Sequence, residues 1–212
     1  MKNLKLLTLF LLLSNMKGIS QVKNTGIATI KGFQADSLNL SPNKDFEKRI
    51  NLNRIKDSRN EIEIRFYERE EISNTTTLKI LSKRRNKWTG TQYSESNYPK
   101  INIQKLPLEA AKGFEELFQS LLQKNLTRLP SQSELRAKMK KYGSTDTKRG
   151  RAEELLFVND GYSYSLEFII NGKSNIITFS NPEIYANFYS DVQELKDYVA
   201  IKNIFNSELK KK

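Results

Sequence analysis

Apolar and polar residues alternate most regularly over Glu61–Tyr67, where Ile62, Ile64 and Phe66 share one face of a predicted strand. Thr76–Leu81 and Lys87–Tyr93 read as two further strands, with Lys83-Arg84-Arg85-Asn86 between them as a hairpin turn. Ile101 and Ile103 mark a short fourth strand ended by Pro107. The period then changes: Ala110, Phe114, Leu117, Phe118, Leu121 and Leu122 recur at helical spacing and predict an amphipathic helix. Residues 131–151 are polar and basic, and read as a helical stretch over Ser133–Lys141 followed by an open loop.

The C-terminal section carries the strongest local signals. Asn159-Asp160-Gly161 and Asn171-Gly172 have turn chemistry that tolerates positive φ. With Asn171-Gly172 as a two-residue loop, Ile170 faces Lys173, Phe168 faces Asn175, Leu166 faces Ile177 and Tyr164 faces Phe179. That register gathers apolar residues on one face and leaves Ser163, Ser165 and Glu167 on the other; a one-residue slip would bury the serines. Tyr162 and Tyr164 continue the apolar face. Asn181-Pro182-Glu183 then predicts the start of a long helix whose stripe is Ile184, Phe188, Val192, Leu195 and Val199. Strands followed by a helix thus occur twice, over about 61–122 and about 154–207. The expected class is α+β, an antiparallel sheet built from two strands-then-helix halves with amphipathic helices packed on one face.

The N-terminal part is read differently. Residues 1–20 combine Lys2 and Lys5 with the apolar run Leu6–Leu13, too short for a bilayer-spanning helix, which needs about 20 residues. This is the layout of a secretory signal peptide, with Gly18 and Ser20 as the small residues before a cleavage point ahead of Gln21. Residues 21–60 are expected to form a polar arm, with a weak strand pattern over Val22–Phe33 and either a short helix around Phe46 and Ile50 or a mobile segment. A single α+β domain is expected over 61–209. The expected location is secreted or periplasmic, and no later segment reaches membrane length.

Composition narrows the chemistry. The 212 residues include no Cys and no His, which removes disulfides, thiol nucleophiles, zinc fingers and every imidazole-based triad or metal site. An exported chain without disulfides must rely on its own core. No metal and no cofactor is expected. The net charge of +12 falls to +9 when Lys2, Lys5 and Lys17 leave with the signal. The remainder is uneven, because residues 79–151 hold 17 basic and 6 acidic groups while residues 152–209 hold 3 and 9. A bias toward Lys, Asn and Ile accounts for much of that surplus without any binding partner.

Candidate chemistry is sparse. Ser41-Pro42-Asn43-Lys44 has the Ser-x-x-Lys spacing of penicillin-recognising enzymes, but the companion elements are absent. Glu61 and Glu63 share a strand face with Arg65 and Tyr67, read as a solvated outer face, and Glu115-Glu116 and Glu153-Glu154 as ordinary surface charge. A carboxylate-based hydrolase is therefore the weaker alternative. Lys83, Arg84, Arg85 and Lys87 with Trp88 form the densest basic cluster, on a predicted hairpin tip, and are the candidate anion-binding residues. Export favours an anionic surface such as lipopolysaccharide or an acidic glycan, or an acidic protein, over nucleic acid. A second basic tract comprises Arg136, Lys138, Lys140, Lys141, Lys148, Arg149 and Arg151, read as a solvated loop.

The Ile-Ser-Gln end of the signal, the Lys/Asn/Ile bias and the Asn-Gly hairpin leading to an Asn-Pro helix start resemble small secreted proteins of unknown function from Bacteroidota. The resemblance covers mainly 1–21 and 154–207. It implies that Asp36-Ser37-Leu38 is similar to the O-glycosylation site of that phylum, with Ser37 as acceptor, and it implies no catalytic residue. The function expected from the residues is that of a non-enzymatic binding or structural protein.

Overall fold

Strand β1 (Ile62–Glu70) lies at the middle of the sheet and is paired along its whole length on both sides. The computed structural model of the chain describes residues 41–73, 75–97, 100–147 and 150–212. The signal peptide, the strand pattern over Val22–Phe33 and Ser37 lie outside the described residues, as do Lys148 and Arg149. One neighbour of β1 is β2 (Thr75–Arg84), followed outward by β3 (Lys87–Ser96), β4 (Asn102–Ala110) and the short β9 (Leu209–Lys211). The other neighbour is β7 (Tyr162–Ile170), followed by the edge strand β8 (Lys173–Ser180). All six pairings in this seven-stranded sheet are antiparallel. A separate hairpin is formed by β5 (Tyr142–Thr147) and β6 (Gly150–Glu153).

The α+β class and the antiparallel sheet are as expected, and the β7–β8 register matches the sequence reading at every predicted pair. Both stretches contribute strands to the one sheet. Ile62 through Glu70 face Ile170 through Tyr162, so the C-terminal hairpin extends the same sheet across the free edge of β1. Pro107 does not end β4. Its carbonyl accepts from the Lys212 N–H, so its N-atom faces the outer edge, where a missing donor breaks no bond to β3. The stretch predicted as a helix over Ser133–Lys141 is instead a 3-10 turn at Gln132–Leu135, and the predicted open loop contains the β5–β6 hairpin.

One face of the sheet is apolar. Ile62, Ile64 and Phe66 of β1 continue into Leu166 and Phe168 of β7 and Leu81 of β2, all buried. Two helices cover this face: α2 (Phe114–Gln123), through Leu117, Phe118 and Leu121, and α4 (Gln193–Ser207), through Leu195, Tyr198, Ile201 and Phe205. Stacked rings join helix to sheet, with Phe205 4.5 Å from Phe66 and Tyr198 4.6 Å from Phe179. The long helix predicted from Pro182 is two helices. α3 (Pro182–Phe188) stops before Ser190-Asp191, residues that compete for backbone hydrogen bonds, and α4 restarts after Val192. The break leaves Ile184 at 46% exposure, outside the stripe it was expected to lead, whereas Val192 and Leu195 of that stripe are buried, together with Tyr189.

Helices are not confined to that face. The segment from Ser41 on, expected as part of a polar arm, packs on the opposite side of the sheet. Its helix α1 (Lys44–Arg49) has six residues, far below the length at which propensity sustains an isolated helix. Tertiary contact holds it: Phe46 meets Tyr67 edge to face at 6.5 Å and joins Leu78 and Ile80, with Ile50, Leu52 and Tyr93 at the margin. The turn before β7 is equally constrained. Gly161 has φ of +143°, and an added Cβ would stand 2.0 Å from Oδ1 of Asn181, the atom that accepts from the Tyr162 N–H. Gly161→Ala is therefore expected to lower the unfolding free energy by more than about 1 kcal/mol, read from urea denaturation, with Gly172→Ala as a comparison at an open position.

Candidate functional site

Side-chain alternation places Glu63, Arg65 and Tyr67 of β1, Ser165 and Glu167 of β7 and Ile80 of β2 on the second face. The solvated outer face expected for Glu63, Arg65 and Tyr67 is in fact a covered one, because residues 41–60 lie across it. Arg65 and Tyr67 are each 1% exposed, Glu63 5% and Glu167 0%. The Arg65 guanidinium is the hub. Its Nε donates to Glu63 Oε1 at 2.7 Å and its Nη1 to Glu47 Oε1 of α1 at 3.0 Å. The Tyr67 hydroxyl donates to the same Glu47 oxygen at 2.6 Å. Ser58 Oγ and Asn60 Nδ2 both donate to Glu63 Oε2, at 2.5 and 2.6 Å.

Glu167 differs from the other two carboxylates. Its Oε2 lies 3.9 Å from Arg65 Nη1, but neither of its oxygens makes a well-formed hydrogen bond among the described residues, the Ser41 hydroxyl being merely nearby. Three ionised carboxylates around one guanidinium would leave a double negative charge in a buried space, which is severely unfavourable. Burial, reinforced by the charge of Glu47, lifts the Glu167 carboxyl from its ordinary 4.5 to about 7; Ser41 and Arg65 oppose the shift only in part. With Glu167 protonated, Glu47, Glu63 and Arg65 leave a single net negative charge, half the burden of the fully ionised cluster.

Beside this cluster lies a cavity of about 450 Å³ at the β7–β8 edge. Its floor is second-face sheet, including Tyr67, Ser163, Ser165, Thr178 and Ser180. Pro42 and Asn43 form one wall and Gln132, Ser133, Arg136 and Met139 another. The second wall is positioned by the edge strand itself. The Thr178 N–H donates to Ser131 Oγ at 3.1 Å and the Ser180 N–H to Gln132 Oε1 at 2.7 Å, so side chains stand where a neighbouring strand would pair. A capping box between Ser131 and Glu134 fixes the turn that carries them.

Arg69 and Arg136, both exposed, line the cavity, and neither makes an ion pair among the described residues. Among the described residues no carboxylate lines it. Asn43 and Ser165 are among its lining residues, but Asn43 Nδ2 and Ser165 Oγ are themselves turned away from accessible space and have no hydrogen-bond partner among the described residues. Such orphaned groups are rare in folded proteins. A second, smaller cavity of about 240 Å³ lies at Asp45 and Glu95. There Glu95 is already engaged by Arg49 in a two-pronged contact at 2.6 and 2.7 Å.

The basic hairpin tip predicted as an anion site is divided by the pleat. Lys83 and Trp88, paired across β2 and β3, turn toward α2, where Lys83 Nζ and Trp88 Nε1 each donate to Glu115 Oε2 at 2.9 Å. Lys83 also sits 5.5 Å from the Trp88 ring. Glu115 is thus a helix-docking group rather than ordinary surface charge. Arg84, Arg85 and Lys87 remain exposed around a two-residue turn in which Arg85 and Asn86 have φ of 50° and 60°. Of the second basic tract, Lys138 pairs with Glu194 and Lys141 lies 3.8 Å from Glu154, while Arg136 belongs to the cavity.

The residues that sequence reading passed over are Glu47, Arg65, Arg69, Glu167 and the orphaned Asn43 and Ser165. The alternation that put Ser165 and Glu167 on a polar face was visible. What it lacked was the β1–β7 pairing, which sets Arg65 directly opposite Glu167 and Tyr67 opposite Ser165. Among the described residues no group of acidic side chains is arranged to hold a metal ion, and no helix is long and apolar enough to cross a membrane. No protein-family model matches the chain, and no curated protein or solved structure resembles it.

The Glu167 carboxyl has a direct signature in stability. Below pH 4.5 it is protonated in both folded and unfolded chains. As pH rises toward 7 the unfolded chain loses the proton and the folded chain retains it, so stability falls and then levels off. The expected loss is at most about 3 kcal/mol. Glu167→Gln keeps the shape of the protonated acid, so urea unfolding of this variant should match wild type near pH 4 and exceed it above pH 7. A gap that does not change with pH would contradict the assignment.

Proposed function

We propose that the chain is an exported, non-enzymatic binding protein, secreted or periplasmic, whose ligand occupies the cavity at the β7–β8 edge. The observation that carries the reading is the lining itself: among the described residues it holds two arginines without ion pairs, a floor rich in hydroxyl groups, and no carboxylate. The volume falls within the range of about 300–1,000 Å³ typical of small-molecule sites. An anionic ligand is favoured because Arg69 and Arg136 give the space a positive potential that no acid among the described lining residues offsets.

Binding is preferred to hydrolysis for a geometric reason. The carboxylates that converge, Glu47, Glu63 and Glu167, surround Arg65 beneath α1 and belong to the lining of neither cavity. General acid catalysis requires the acid to reach substrate, so these groups serve the fold. The anionic-surface reading of the hairpin tip is weakened because Lys83 and Trp88 are spent on Glu115. Export rests on the pattern of residues 1–20, and the proposed partner is accordingly a small anion of the periplasm or medium.

The test uses the full chain expressed with its leader in a Gram-negative host. The mature N-terminus should be Gln21, and native mass spectrometry should detect small anions retained from medium or periplasmic extract. Ser163→Trp, which fills the cavity with a ring, should abolish that retention while leaving the unfolding midpoint within a few degrees. Equal retention by Ser163→Trp and wild type, or an unprocessed cytoplasmic chain, would overturn the reading.

A further inference from the structure

Independently of what the cavity binds, we infer that residues 41–60 form a proton-operated clasp. A proton on Glu167 holds them closed over the second face of the sheet. Its loss lets them lift from β1, opening the wall that Pro42 and Asn43 give to both cavities. Such a device requires one element that is fixed, one that can move and a titratable group between them.

The fixed element is the sheet. Arg65 and Glu167 are cross-strand partners in the β1–β7 ladder, which is paired from Ile62 to Glu70, so the backbone keeps the two side chains side by side. The element that can move is the covering segment. Its helix α1 has six residues and is too short to sustain itself. The segment grips β1 through one polar cluster: Glu47 accepts from Arg65 and Tyr67, and Ser58 and Asn60 donate to Glu63.

Glu167 is the titratable group between them, and it is 0% exposed. Ser41 and Glu47 lie near it from the covering segment and Arg65 from β1, with Glu63 bound to Arg65 and Tyr67 to Glu47. Its partner on β8 is Ile176, which carries no charge. A protonated Glu167 is neutral and has a hydrogen to donate toward Glu47. An ionised Glu167 sets a further buried negative charge against Glu47, with one guanidinium serving three carboxylates. The ladder holds Arg65 and Glu167 together, so the segment carrying Glu47 is the part that yields. Once it lifts, water reaches the carboxylates and weakens their repulsion.

The direction and size of the response follow from linkage. Lifting the segment returns Glu167 to water and to its ordinary 4.5, whereas burial in the closed form holds it at about 7. Below pH 4.5 both forms carry the proton and closure is strongest. Between 4.5 and about 7 the open form loses the proton first, so the closure constant falls with rising pH, by about 300-fold in all, and then levels off. A proton shifts the equilibrium by no more than this difference in affinity. Packing of Phe46 on Tyr67, Leu78 and Ile80 sets the point from which it starts.

Amide exchange of the full chain from pH 4.5 to pH 8, corrected for intrinsic rates, tests the clasp with no ligand present. The N–H groups of Ile50 and Leu52, bonded to the carbonyls of Phe46 and Glu47, should lose protection by about 30-fold or more up to pH 7 and change little above it. In Glu167→Gln, neutral at every pH, the same amides should vary by less than about threefold. Should that variant fail to fold, Glu167→Leu carries the same expectation. In wild type at pH 8, low concentrations of urea should affect Ile50 and Leu52 less steeply than the β1 amides, because a lifting segment exposes less surface than unfolding of the sheet. Protection of Ile50 and Leu52 that is independent of pH in wild type would overturn the clasp. An unchanged pH dependence in Glu167→Gln would assign the effect to another group and overturn it too. Equal urea dependence for the segment and β1 would show that the proton acts only on the whole domain, which is equally fatal.

Discussion

A buried guanidinium organises the second face of this protein. Arg65, on the central strand, is enclosed by Glu47 from the covering segment, Glu63 from its own strand and Glu167 from the adjoining strand. Removing a charge of this kind from water costs several kcal/mol, and the cost is offset only when its donors find acceptors. Glu47 and Glu63 supply them, and the supply of Glu47 requires α1 to lie on the sheet. The short helix, the burial of Phe46 against Tyr67 and the wall at Pro42 and Asn43 all follow from that requirement.

The two faces of the sheet are therefore held by different physics. Under α2 and α4 the contact is apolar, with stacked rings and aliphatic side chains whose burial is non-directional. Under α1 it is ionic and hydrogen-bonded, so geometry is specified atom by atom. An apolar core tolerates small shifts; a guanidinium with fixed carboxylate partners does not. It is on the specified face that the cavity occurs, which is consistent with a frame held in place for recognition rather than for packing alone.

How much of this was legible in the sequence depended on how far each signal reached along the chain. The β7–β8 register followed from Asn171-Gly172 and the alternation on either side, because a two-residue turn leaves little freedom. Ile62, Ile64 and Phe66 were recognisable as core for the same local reason. The burial of Arg65 was not, since a polar strand face looks alike whether it meets water or a covering segment. Phe46 and Ile50 hinted at a helix, but nothing local said that it would dock 18 residues away on Arg65 through Glu47. The tip at 83–88 misled in the opposite sense, because the partner of Lys83 and Trp88 is Glu115 in α2, beyond the reach of a local pattern.

The central claim is that the Arg65 cluster keeps residues 41–60 on the sheet. Amide hydrogen exchange of the covering segment addresses it directly. The N–H groups of Ile50 and Leu52, bonded to the carbonyls of Phe46 and Glu47, should exchange in wild type with protection approaching that of β1. In Arg65→Met they should lose most of that protection while β2, β3 and the α4 amides retain theirs. Unprotected Ile50 and Leu52 amides in wild type, or protection that survives Arg65→Met unchanged, would contradict it.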